Sequence, residues 1–273
     1  MARRSRRSKG MSDGTRGIFL AILGLVLIGL LGGSYWWVKR SRPVLDAETN
    51  CPVAGPTAIH VILFDRSDPI TDQQGQRIRQ AIERFKLDAP FGLRFDLYTF
   101  QGDTTHVLQP KLQICALGKP SEANPLIENP EKIRKQYDAK FSAVLDQTVA
   151  ELLRASKETS SPIIESLRAA SITSFGAVTT GQIPLRLTMI SDMVQHTQLN
   201  SQFQVEPNFQ ALSHSNAWPS MQPQLKGADV DIFYLLRPAA TRKGVPIQTR
   251  GHQVFWEQLI SASGGRLTSN EPF

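Results

Sequence analysis

The strongest hydropathy feature of the chain is one uninterrupted apolar run, Ile18 to Val38, which holds no charged residue. No amphipathic stripe divides it, so the pattern predicts a helix that is apolar on every side, not one face of a core. About 20 helical residues cross a hydrocarbon core of ~30 Å, which predicts a single transmembrane helix over residues 18–38. Arg16 closes one end, and Lys39, Arg40 and Arg42 close the other; Tyr35, Trp36 and Trp37 stand where an interfacial aromatic belt lies. Further on the pattern shortens and alternates. Ala58–Phe64 is an apolar run of buried-strand type. Residues 71–87 carry Ile78, Ile82 and Phe85 at helical spacing, with Thr71 placed to cap them. Residues 92–100 alternate as a strand, 106–115 read as an edge strand, and 118–130 as a Pro- and Asn-rich loop. Helices are predicted over 130–157 and 162–174, buried strands over 185–191 and 230–236, an amphipathic helix over 249–263 and a last strand over 266–269. Such alternation predicts an α/β fold, a doubly wound, mostly parallel sheet flanked by helices and preceded by the transmembrane helix.

Four segments follow from this pattern. Residues 1–17 are a basic tail, 18–38 the membrane span, 39–56 a linker containing Pro43, Pro52 and Pro56, and 57–273 one domain of sufficient size for its own core. The formal charge is +7; six Lys/Arg against Asp13 place +5 of it within the first 38 residues and leave +2 on the remainder. The basic balance is therefore a topology signal, and no nucleic-acid partner is expected. Six basic residues before the span and three after it orient the tail toward the cytoplasm, with the main domain periplasmic or extracellular. The two cysteines, Cys51 and Cys115, form no C-x-x-C pair, which argues against a thiolate zinc site. Outside the cytoplasm a Cys51–Cys115 bridge would pin the linker to the domain edge; two independent thiols are the other reading, and both stand at this point.

Candidate chemistry gathers where strands end. Asp65 and Asp192 each follow a buried apolar strand, so a doubly wound sheet brings both to its carboxyl edge, where such folds bind ligands. Two carboxylates there repel unless a cation intervenes. Ser67 and Ser161 add hydroxyl oxygens, and no His or Cys accompanies them, so the donor set suits Mg²⁺ and not zinc. Each piece has a plainer reading: an Asx turn at Asp65–Pro69, an N-cap at Ser160–Ser161, a strand-end cap at Ser191–Asp192. The histidines are scattered and show no metal spacing. No G-x-S-x-G elbow or P-loop is present, and no enzyme activity is expected.

The three pieces occur in an order that resembles the von Willebrand factor A-type domain. Asp65 and Ser67 resemble the first two positions of its D-x-S-x-S motif, Ser161-Pro162-Ile163 its T-P-L helix start, and Ser191-Asp192-Met193 its T-D-G. The last serine of the first motif is Pro69 here, which has no hydroxyl; Asp68 and Thr71 are the nearby residues that offer an oxygen instead. The resemblance covers most of residues 57–273 and implies a protein-binding module with a metal-ion-dependent adhesion site. Asp65, Ser67, Ser161 and Asp192 would hold Mg²⁺, and an acidic side chain of a protein partner would complete the coordination. Loops 102–105, 118–130 and 197–223 would shape specificity. Two alternatives remain: a metal-free structural subunit of a membrane complex, which Pro69 favours, and a Mg-dependent hydrolase built on the same acidic edge.

Overall fold

The computed structural model describes residues 13–41, 43–67, 69–100, 108–124, 128–154, 160–197 and 200–272. It divides into two units, residues 1–44 and 45–273. The first contains helix α1, Asp13–Ser41, whose apolar side chains from Ile18 to Leu31 are exposed wherever they are described, except at the partly covered Gly24 turn. Among the described residues no helix is long and apolar enough to cross a membrane. The side chains at 13–16, 19, 35, 37–39 and 41 lie outside that description.

The second unit is built on a six-stranded sheet: β1 (Ala58–Phe64), β2 (Leu93–Thr99), β3 (Leu112–Cys115), β4 (Leu185–Ser191), β5 (Asp229–Tyr234) and, last in the chain, an edge strand, Arg266–Pro272. A two-residue ribbon pairs β6 (Thr241–Arg242) with β7 (Val245–Pro246), which makes the edge strand β8. The sheet order is β3-β2-β1-β4-β5-β8, parallel except for β3. The order reverses direction between β1 and β4, which is the switch point where open α/β sheets form a crevice. A mixed, mostly parallel sheet of this kind, flanked by helices, fits the α/β class expected from the sequence and a von Willebrand A or Rossmann-like arrangement.

Alternation within β1 sends its residues to two cores. Ile59, Val61 and Leu63 pack with α5 (Ile163–Phe175) and α8 (Arg250–Ala262). Ile62 and Phe64 pack with α2 (Asp72–Asp88) and α4 (Ala143–Leu152). Both faces are therefore covered, as a parallel sheet requires. Thr71 caps α2 in a full capping box with Gln74, which satisfies two backbone donors at once. His60 faces the second core; its Nε2 lies 2.8 Å from Thr188 Oγ1, and burial, reinforced by the Arg186 charge, lowers its pKa to about 3.

Boundaries shift where local chemistry intervenes. The helix expected over 130–157 is α3 (Pro130–Tyr137), a π turn (Asp138–Ser142) and α4, and its expected end at 155–157 lies outside the described residues. The strand expected over 106–115 is described only as Leu112–Cys115, with 106 and 107 outside the description. The stretch taken as loop, 197–223, holds two short helices, α6 (Phe209–Ser213) and α7 (Trp218–Met221). Pro162, expected in the first turn of its helix, occupies the capping position before Ile163.

Residues 45–56 of the expected linker belong to the second unit. Cys51 and Cys115 form a disulfide, and Cys115 N donates to Thr49 O at 2.8 Å. Cys115 lies opposite Arg94, at the start of β2. The chain therefore enters this unit at the end of the sheet opposite the carboxyl edge.

Candidate functional site at the carboxyl edge

Register brings the loops together. Phe64 lies opposite Ile190, and Asp65 N continues the ladder by donating to Ile190 O at 2.9 Å. Asp65 thus emerges beside Ser191, with Asp192 one residue further. The Asp65 carboxylate is buried and accepts four hydrogen bonds. Oδ1 accepts from Ser67 N at 2.9 Å and Ser67 Oγ at 2.6 Å. Oδ2 accepts from Ser161 Oγ at 3.2 Å and Ser191 Oγ at 2.7 Å.

Ser161 is carried there by a short antiparallel bridge. Ser161 N donates to His196 O, and His196 N donates to Ser161 O, both at 2.9 Å. The start of α5 is tied to the same segment: Gln195 Oε1 accepts from Ile164 N at 3.0 Å, and Gln195 Nε2 donates to Glu165 Oε2 at 2.8 Å. Residues 161–165 are thereby tied to residues 195–196, so Ser161 and Asp192 are positioned together although 31 residues separate Gln195 from Ile164.

Asp192 is also buried, and its Oδ1 accepts from Val194 N at 2.8 Å. Met193, in the place of a glycine in the resembled motif, has φ of 63°. A left-handed methionine is strained and persists only where its surroundings fix it. Here Ser191 Oγ accepts from Met193 N at 2.8 Å, and Met193 O accepts from Trp256 Nε1 at 2.9 Å. Behind this turn runs a buried polar strut. Tyr234 OH lies 2.5 Å from His252 Nδ1, and His252 Nε2 lies 2.8 Å from Gln202 Oε1, which also accepts from Gln195 N. Burial lowers the His252 pKa to about 4, with the Met193 carbonyl opposing and Arg242 adding to the shift. Burial, and then the Asp192 charge, raises the Tyr234 pKa.

Of the four expected metal ligands, Asp65, Ser67 and Ser161 meet in direct hydrogen bonds, and Asp192 joins through its neighbour Ser191. Among the described residues no group of three His, Cys, Asp or Glu side chains gathers to hold a metal. A cation at this edge would rest on two carboxylates and hydroxyls. Those hydroxyls fit a hard ion chemically: each has one proton and two lone pairs, and with the proton given to Asp65 the lone pairs of Ser67 and Ser161 remain as oxygen donors. Pro69 adds none, and Asp68 lies outside the described residues, as does the loop 102–105. Sequence reasoning missed Ser191, whose place directly before Asp192 at a strand end was the available signal. It also missed the Gln195–Gln202–His252–Tyr234 strut, for which scattered Gln and His residues give no spacing signal.

No protein-family model and no curated protein sequence matches this chain. Solved structures that resemble it include the pilus adhesin SpaC from Lactobacillus rhamnosus GG in an open conformation, at 13% identity over 82% of this chain and 29% of the adhesin, with a TM-score of 0.42. A second is an aerotolerance-related membrane protein from Bacteroides fragilis NCTC 9343, at 12% identity, covering 79% of this chain and 92% of that one, with a TM-score of 0.34. A third is the TFIIH p34 N-terminal domain, at 13% identity, 76% and 98% coverage, and a TM-score of 0.25. The chain spans less than a third of the adhesin's length. Likeness at this level bears on neither the site nor its chemistry.

Proposed function

We propose that this chain is a membrane-anchored, von Willebrand A-like protein-binding module that engages an acidic residue of an envelope partner through a Mg²⁺-type site at the carboxyl edge of its sheet. The observation that carries this reading is the convergence of hydroxyls from separate loops, Ser67, Ser161 and Ser191, on the single carboxylate of Asp65. When bound, the cation would supply a positive centre for a partner carboxylate. Asp65 and Asp192 would provide its counter-charge, and Ser67 and Ser161 neutral oxygens. The Gln195 and Ser191 bonds hold these groups in place before any ligand arrives, which lowers the ordering cost of binding.

The anchor is helix α1, supported by its sequence, which carries no charge from Ile18 to Val38. At ~1.5 Å per residue such a helix exceeds the ~30 Å hydrocarbon core. The Cys51–Cys115 bridge suits an oxidising compartment outside the cytoplasm. The test is calorimetric titration of the full-length chain in detergent with Mg²⁺ and Mn²⁺, wild type against Asp192→Asn. Saturable binding that the variant loses supports the reading; equal heats in both refute it.

A metal-free structural subunit is the second reading. It is favoured by Pro69 and by the four protein donors that already satisfy Asp65.

A further inference from the structure

Three arginines in the sheet each close a guanidinium fork on an aspartate. Arg94 reaches Asp96 through Nε at 2.9 Å and Nη2 at 2.7 Å. Arg186 reaches Asp231 through Nε at 2.8 Å and Nη2 at 2.6 Å. Arg266 grips Asp229 through Nε at 2.7 Å and through Nη2. Arg237 has the same fork with no carboxylate in it. Its Nη1 donates to Gln74 Oε1 at 3.1 Å, while its Nε is buried without a hydrogen-bond partner. Among the described residues no acidic side chain pairs with it.

The position of Arg237 ties it to the candidate site. It follows the end of β5 by three residues, at the same sheet edge as Asp65 and Asp192. Its backbone N donates to Gln248 Oε1 at 2.6 Å, and Gln248 Nε2 donates to Asp192 O at 2.9 Å. Gln74, which holds the guanidinium, belongs to the capping box that starts α2 directly after the Asp65 loop. The side chain is thus pinned at both ends by the frame of the site, and its side-on Nε/Nη2 edge is left over. A guanidinium stays charged at all accessible pH, and a buried donor calls for an acceptor. The group that matches two parallel N–H donors is a carboxylate, held bidentately.

We propose that Arg237 is a specificity residue that receives a carboxylate of an acidic peptide segment beside the cation site. The proposal rests on this edge being the binding face, but it needs no metal, so it can fail or stand apart from the Mg²⁺ reading.

The test is fluorescence anisotropy of a fluorescein-labelled hexaglutamate peptide with the full-length chain in detergent and EDTA. Saturable binding is expected, weakened at least about tenfold in Arg237→Gln, the loss of one charge-assisted bidentate pair. Arg237→Lys keeps the charge but not the fork, and should weaken binding nearly as much. Arg168→Gln, which removes another buried and unpartnered Nε on α5, should leave it unchanged. No binding by the wild type, or equal binding by wild type and Arg237→Gln, overturns the proposal. So does equal weakening by Arg168→Gln, which would indicate diffuse charge. Competition by inorganic phosphate as effective as by free glutarate would overturn the carboxylate assignment.

Discussion

Mild acid should destabilise the domain through two buried histidines, and the size of the effect follows from their surroundings. His60 and His252 are 2% and 1% exposed. His60 sits between Phe85 and Phe95 with Arg186 nearby; His252 sits between Tyr234, Trp256 and Gln202, with Arg242 nearby. Their folded pKa values are about 3 and about 4, against 6.5 for an ordinary imidazole. Because both are lowered, the unfolded chain takes up protons first as pH falls. Their contribution is complete above about pH 6.5 and is lost progressively as pH falls toward the folded values. At about pH 5 the linkage relation gives a loss of about 2 kcal/mol per histidine, or about 4 kcal/mol together. Urea unfolding of the full-length chain, followed by tryptophan fluorescence at about pH 7.5 and about pH 5, measures this. The variants His252→Gln and His60→Gln should each lose about 2 kcal/mol less than wild type across that interval, since carboxylate titration is common to all three. A wild type and variants that lose the same stability over the interval would refute the reasoning.

Other consequences follow from single residues. Cys51→Ser removes a bridge between cysteines 64 residues apart and should cost about 4 kcal/mol by the chain-entropy relation, seen as a lower urea midpoint that a reductant imposes on wild type but not on the variant. Thr71→Ala removes the side-chain half of the α2 capping box and should cost about 1 kcal/mol in the same assay.

Much of the sheet was legible because buried parallel strands are apolar runs. Ala58–Phe64 and Leu185–Ser191 have the bounds the pattern predicts, and Thr71 caps α2 as its position predicts. The long helix after Pro130 was legible as a helix but not as one with a π turn at Asp138–Ser142, because its apolar spacing survives a single wider turn. The segment 197–223 carries few apolar residues at regular spacing. Its short helices are held by tertiary anchors, such as Trp218 against Phe209, which no local pattern records. In the candidate site, Asp65 and Asp192 were legible because each ends an apolar strand. The Ser191 hydroxyl became visible only with the register of β1 on β4, which sets it against Asp65. Arg237 was hidden for the same reason, since its guanidinium is held by Gln74, 163 residues away, which leaves Nε without an acceptor.

Hydroxyls from separate loops and two strand-end aspartates are proposed to form one oxygen-only cation site at the carboxyl edge. Its most direct test is Mn²⁺ titration of the full-length chain followed by electron paramagnetic resonance, comparing wild type with Asp65→Asn and Ser161→Ala. One saturable site is expected in wild type, abolished by Asp65→Asn and weakened by Ser161→Ala, with all three proteins folded by circular dichroism. A folded wild type that binds no Mn²⁺, or binding that both substitutions leave intact, would contradict it.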